Sequence, residues 1–409
     1  MLRIVPLIVL TALLLTSLCD VALSDAASTQ AIPSACGYLT DRIAGMAAGP
    51  VLLASYPTER SGPLGGVAFT YDNAVAAIAL VGCHQTQHAR RIGDAMLLAL
   101  DYDRFWHDGR LRNAYAAGAI GTAEPVRLSG WWDPAAQRWM EDRYQVGSDS
   151  GNMAWAMLAL ETLQGATNDR RYLDGAVRLA HWVEGRADAR GAGGFTGGEF
   201  GHEPGPENDR WKSTEHNTDL AAAFAWLARA TGEAHWSARS QQARAFVESM
   251  WLGDEGYFAV GSAEDGVQVN PLLALDAQIW PLLALPGAAG RYHAALVTSQ
   301  RRLRSGAGYT YSQAGGGLWS EGTAQAAVLT ALLQQDDAAR AIAGSLKGLR
   351  TSSGGCYASD VPATPTGFML ATDPSKPRVY FHLEHLGASA WLALYEQRVN
   401  PFTGRSALP

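Results

Sequence analysis

The sequence predicts an all-α fold, a toroid of six helical hairpins of the (α/α)6 kind. Three observations lead there. Six nearly uncharged apolar stretches each follow a polar cluster, amphipathic stretches lie between them, and the longest connections always precede the apolar ones. A helix that is apolar on most faces is surrounded by protein, whereas a charged stripe marks a helix with one solvated face. The repeat is therefore a pair, one inner and one outer helix.

The first inner helix follows Tyr71-Asp72-Asn73, and the second follows Asp149-Ser150-Gly151-Asn152. The third opens at Glu215-His216-Asn217-Thr218-Asp219 and the fourth at Asp276-Ala277-Gln278. The fifth opens at Glu321-Gly322-Thr323-Ala324-Gln325 and the sixth at His385-Leu386-Gly387-Ala388-Ser389. Outer helices are expected at Tyr38–Ala54, His88–Leu100, Tyr172–Arg186, Trp236–Trp251, Arg291–Arg304 and Asp336–Leu349, where charge recurs on one side. The long connections, Asp103–Val146, Asp188–Lys212 and Thr351–Glu384, all enter inner helices from the same end, so that end is the expected functional face.

The two ends and the composition bound the rest. Arg3, the apolar run Leu7–Leu18 and the small residues Ala22, Ser24, Ala26 and Ala27 read as a removable secretion signal over 1–27. Residues 28–409 then form one domain, periplasmic or secreted, and no later apolar run approaches the ~20 residues of a membrane span. A formal charge of −7 without Lys/Arg clusters argues against nucleic acid as a partner. Beyond the leader, Cys36, Cys83 and Cys356 permit one disulfide of unspecified pairing and show no zinc spacing. No cofactor or metal is expected. Glu199, Glu203, Glu207 and Asp209 read as a solvated acidic loop rather than a calcium site.

Helix capping explains part of the polarity at the inner-helix fronts: Ser213 or Thr214 can cap the third helix and Asp149 the second. It does not explain its density. If the six fronts share a rim, Asp72, Asp149, Glu215, Asp219, Asp276, Glu321 and Glu384 approach one another there. Like charges held together raise at least one pKa and leave a protonated acid beside an ionised base. Cleavage of a glycosidic bond needs that pair. Glu215 and Glu321 are the first catalytic candidates, with Asp72 and Asp276 close rivals. Tyr71, Asn73, Asp149, Asn152, His216, Asn217, Asp219, Gln278, Gln325 and His385 are candidates for binding sugar hydroxyls. Aromatic rings stack on sugar faces, and Trp131, Trp132, Trp211 and Trp319 lie in loops or at helix starts where they can do so. Trp155, Trp226, Trp280 and Trp391, inside inner helices, read as core.

The elements YDNAVAAIAL, STEHNTDL, LDAQIW, WSEGTAQ and HLGASAW resemble the inner-helix starts of the six-hairpin glycosidase superfamily, over most of the chain after the leader. The resemblance implies an (α/α)6 toroid that acts on sugars through carboxylates at the inner-helix rim. No single family within it is singled out, and the tandem Asp-Asp of its endo-mannanase-like members is absent, because Asn73 follows Asp72. The expected function is an exported glycoside hydrolase, inverting and endo-acting on a neutral β-linked polysaccharide. The alternatives are a lyase on a uronate polymer, using Tyr71, His216, Asn217 and Lys212, and a glycan-binding accessory of envelope polysaccharide export without turnover. Oligomeric state is left open.

Overall fold

A computed structural model of the chain describes residues 33–122 and 125–409. The leader expected at 1–27 lies outside the described residues. From Ala35 onward the chain alternates between outer and inner helices. The helices are α1 (Ala35–Ala44), α2 (Thr70–Gly82), α3 (Thr86–Asp101), α4 (Arg143–Val146), α5 (Ser150–Thr167), α6 (Arg170–Glu184) and α7 (Thr214–Thr231). They continue as α8 (Ala234–Ser249), α9 (Asp276–Ala284), α10 (Ala288–Arg291), α11 (His293–Arg302), α12 (Ser320–Leu332), α13 (Asp336–Gly344) and α14 (Leu386–Gln397).

The inner ring is α2, α5, α7, α9, α12 and α14. Each packs on the next, and α14 returns to α2, so the ring closes. Its composition follows from this position: α5 is buried at every residue from Ser150 to Leu163, and α12 is buried throughout. Outside it lie α1, α3, α6, α8, α11 and α13, each against its inner partner. Three expected outer helices are shortened, the sixth ending at Gly344 instead of Leu349. The first ends at Ala44 because Gly45 and the positive-φ Gly49 before Pro50 break it, and Val51–Leu52 is extended instead. The fifth is split by Tyr292 into α10 and α11. At the back of the ring, Asn168 and Gly232 take left-handed conformations and turn the chain sharply after α5 and α7.

The axis of the toroid is filled. Trp155, Trp280 and Trp391, from alternate inner helices, lie with ring centroids 5.3–6.3 Å apart. Phe402 from the C-terminal tail, 1 % exposed, sits 5.1 Å from Trp155 and 6.0 Å from Trp280. Cys36 on α1 and Cys83 at the end of α2 form a disulfide, and Cys356 is buried and unpaired. The start of α1 is tied to the last inner helix, since the Ala35 amide donates to both carboxylate oxygens of Glu396.

The front loops carry short antiparallel pairings that hydropathy did not reveal. Among them are Val67–Phe69 with Ala114–Ala116, Trp131–Asp133 with Arg138–Met140, and a long hairpin of Ala363–Leu370 with Asp373–Phe381. The acidic loop is partly ion-paired: Glu199 meets Arg110 and Arg186, Glu203 meets Arg104 and Arg112, and Glu207 meets Arg143 but stays exposed, while Asp209 makes no ion pair among the described residues. Arg112, fully buried, also holds Asp103 at 2.6 Å and so braces the 103–146 loop.

Candidate active site

Five inner helices use a polar residue in their first or second turn to grip the extended segment that precedes them. Asn73 accepts from the Leu53 amide at 2.8 Å and donates to its carbonyl at 3.0 Å. Asn217 does the same to Phe195 at 2.8 and 3.0 Å, and Gln278 to Phe258 at 2.8 and 2.8 Å. Thr323 accepts from Tyr309 at 3.0 Å and Ser389 from Cys356 at 2.9 Å. Asn73, Asn217 and Gln278 are fully buried with their hydrogen bonds spent on backbone. Their expected role in binding sugar is therefore corrected: they hold the front loops in register.

Asn152 and Asp149 belong to a similar brace. Asn113, from the 103–146 loop, accepts from Asn152 at 2.8 Å and from the Asp149 amide at 2.7 Å, and donates to the Asp149 carboxylate at 2.9 Å. Asp149 makes no side-chain cap for α5. Ser213 does cap α7, accepting from the Glu215 and His216 amides. Lys212 is fully buried, donating to the carbonyls of Arg190 and Gly193.

Inside this frame the acids form two groups. In the first, Glu321 on α12 accepts a hydrogen bond from the Tyr71 hydroxyl of α2, which in turn accepts from Trp391 at 2.8 Å. His385, ahead of α14, places Nε2 3.4 Å from Asp72 and Nδ1 3.6 Å from Glu321. The Ala388 amide donates to Nδ1 at 3.3 Å, so a neutral ring carries its proton on Nε2, facing Asp72. Gly387 makes the meeting possible. A Cβ there would lie 2.6 Å from Asp72 Oδ1, 3.0 Å from His385 Cε1 and 3.3 Å from Glu321 Oε2. Burial pushes Glu321 up to about 7, with His385 pulling down and Asp72 pushing further up. Burial works against the His385 cation, but the Asp72 and Glu321 carboxylates outweigh it and raise its pKa. Gln325, fully buried, donates to Glu321 at 3.4 Å and orients that carboxyl.

In the second group, Glu215 on α7 and Asp276 on α9 lie close enough for each to act on the other's carboxyl, with Tyr311 beside them. Burial raises both carboxyls, and the neighbouring Asp276 pushes Glu215 further up. Asp219, one turn into α7 and fully buried, is driven well above the carboxylate range by the same burial and by Asp276, and its oxygens have no partner among the described residues. Burial also lifts Asp149 to about 7, with Asp209 adding to it. His216 keeps part of its ring accessible beside Ser150, at 3.2 Å, and burial lowers it to about 4. Gly151 leaves the room, because a Cβ there would meet His216 Cδ2 at 2.4 Å.

The expected tryptophans separate. Trp319 is 1 % exposed beneath Tyr311 and Tyr380, so it is a core residue and not a sugar platform. Trp211 is partly exposed, with its ring 5.3 Å from His216 at the rim. Trp131 and Trp132 lie on the hairpin formed with Arg138–Met140, where Trp132, 55 % exposed, pairs across the strands with Trp139. Three site residues escaped the sequence reading: Tyr56, Tyr380 and Arg378. Tyr56 stacks on His385 at 4.9 Å, and Tyr380 lies 6.2 Å from the same ring. Arg378, on the long hairpin, is felt by Glu215, Asp276, Tyr311 and Tyr144. Each is a lone aromatic or basic residue in a long loop, and only the hairpin pairing would have placed the last two. Among the described residues, no group of three or more His, Cys, Asp or Glu side chains is arranged to hold a metal.

Similarity to known proteins agrees with this architecture. No family model matches the sequence, and no curated protein matches it. Solved structures do. A glycosidase in complex with glucose is similar over 89 % of this chain and 95 % of its own, at 14 % identity and TM-score 0.60. A GH76 α-mannanase from Bacteroides thetaiotaomicron is similar over 90 % and 96 %, at 12 % identity and TM-score 0.57. Cellobiose 2-epimerase from Bacillus thermoamylovorans is similar over 88 % and 95 %, at 12 % identity and TM-score 0.60. The fold is the (α/α)6 toroid.

Proposed function

We propose that the chain is a glycoside hydrolase that cuts a polysaccharide by carboxylate acid/base catalysis. The observation that carries this reading is a pair of raised carboxyl groups on two inner helices of one rim, α7 and α12, with α9 between them. Burial and Asp276 hold Glu215 well above the carboxylate range, and Glu321 stands near 7 between a tyrosine hydroxyl and a histidine. Glu215 is the general acid and gives its proton to the leaving glycosidic oxygen. Glu321 is the general base and takes a proton from the water that attacks the anomeric carbon as the C–O bond breaks. Asp276 favours the protonated form of Glu215, and His385 favours the ionised form of Glu321.

In this reading the glycan is β-linked, cut within the chain and with inversion, and the sugar at the cleavage point is uncharged because the two acid groups flank it. The fold shared with saccharide-active enzymes supports a sugar ligand, although the same fold serves hydrolases and an epimerase. Elimination from a uronate is less well supported, because Lys212 and Asn217 are spent on loop backbone. The leader sequence and the Cys36–Cys83 disulfide support export to an oxidising compartment, periplasmic or extracellular.

The test is a panel of polysaccharides incubated with purified mature protein, read for reducing ends and near-ultraviolet absorbance together. New reducing ends without absorbance are expected, with Glu215→Gln and Glu321→Gln each slower by about 10²–10⁴-fold. Absorbance from an unsaturated product, or full rates in both variants, would sink the assignment. The anomer of the first product, followed by NMR, reads inversion directly.

A further inference from the structure

Arg378 lies on the second strand of the long hairpin, two residues before Tyr380, and alternation along a strand puts both side chains on one face. Tyr380 shows which face it is. Its ring lies 5.3 Å from Trp319, 5.8 Å from Tyr311 and 6.2 Å from His385, over the inner-helix rim. The pairing slips between Pro365↔Val379 and Met369↔Pro377, so that Thr366, Gly367 and Phe368 stand opposite Arg378 alone. The Thr366 hydroxyl donates to the Arg378 carbonyl at 2.9 Å and fixes its backbone. At the root of the hairpin the Ser359 and Thr364 hydroxyls are 2.5 Å apart.

Several arginines of the front loops are spent on carboxylates: Arg110 on Glu199, Arg112 on Asp103, Arg143 on Glu207 and Arg190 on Asp188. Arg378 is set apart by its place on the strand that carries Tyr380 over the rim. Its side chain is exposed, and among the described residues it makes neither an ion pair nor a hydrogen bond. Burial keeps much of the nearby acid protonated, so the rim is not the dense anionic field that a count of its carboxyls suggests. An unspent guanidinium beside such a rim suits an oxyanion, which its planar fork binds through two parallel N–H groups.

We propose that Arg378 determines substrate specificity by receiving a negatively charged substituent, a carboxylate, sulfate or phosphate oxyanion, on a sugar adjoining the one that is cleaved. This rests on the hydrolase reading above and deepens it. The experiment measures binding by titration calorimetry in the Glu215→Gln background, which removes turnover. The ligands are a uronate hexasaccharide, its carboxyl-reduced form, and sulfated and phosphorylated forms of that neutral chain. At least one charged ligand should bind about 10-fold or more tightly than the neutral one, and which one names the oxyanion. Arg378→Gln should erase the preference, Arg378→Lys should keep part of it, and added salt should shrink it. Equal affinities, no binding of any ligand, or a loss in Arg378→Gln that is the same for charged and neutral chains would overturn the proposal. Because binding is read without turnover, a failure of the hydrolase reading shows separately, as an absence of reducing ends.

Discussion

At Glu321 two influences compete: burial favours the neutral acid, while the His385 cation and the Tyr71 hydroxyl favour the carboxylate. The outcome near 7 means that a base at this position is half ionised at neutral pH. kcat/KM should therefore rise with pH through about 7, and the limb belongs to Glu321. Replacing His385 with Gln removes the cation that holds the carboxyl down, so the same limb should move to higher pH. A limb that stays in place in His385→Gln would detach His385 from this role. The carboxylates were legible in the sequence as a set, because acids crowded at helix fronts exceed what capping uses. Their division into two groups was not. It depends on which inner helices stand side by side in the closed ring, and on a histidine whose partners lie far from it along the chain.

Glycine at the second position of α14 is an element-scale requirement, since the helix front must be bare for Asp72 and Glu321 to come together over it. Gly387→Ala should leave the helical circular dichroism unchanged and lower kcat/KM by about 10²-fold, the usual cost of an ångström-scale misplacement of reacting groups. Asn217→Ala should act differently. It removes the grip of α7 on Phe195 and leaves a buried amide and carbonyl without partners, costing about 2–4 kcal/mol in denaturant unfolding. From sequence, an amide at a helix front looks the same whether it will meet a sugar or a neighbouring loop. Asn73, Asn217 and Gln278 were misread for that reason. The inner helices themselves were readable because burial on all faces leaves a signature in composition. The rim hairpins were not, because most pair only two or three residues, too few for alternation to show, and the burial of Trp319 depends on Tyr380 arriving from a separate loop.

Across the whole molecule, buried acids make stability depend on pH in an unusual direction. Burial holds Asp149 and Glu321 at about 7 and Glu215, Asp219 and Glu161 well above the carboxylate range. Each binds its proton more tightly folded than unfolded. Its stabilisation is thus complete below the ordinary carboxylate range and is lost as pH rises through the folded value. His216, lowered to about 4, opposes this by one proton. The unfolding free energy should fall between about pH 5 and pH 8, with Glu321 alone worth on the order of 3 kcal/mol, and chemical denaturation at the two pH values measures it. The disulfide acts on the same scale. It joins residues 47 apart, and Cys83→Ser should cost about 2–4 kcal/mol by the same measurement.

The aromatic stack on the toroid axis has a consequence for traffic. With Trp155, Trp280, Trp391 and Phe402 packed together there, the ring is a bowl and not a tunnel. A polymer cannot be threaded through a bowl, so substrate arrives and product departs by one mouth. On the proposed activity, nothing then holds the chain captive between one cut and the next, and the enzyme has no means of ratcheting along it. Early digests should contain fragments of many lengths rather than a ladder shed from one end.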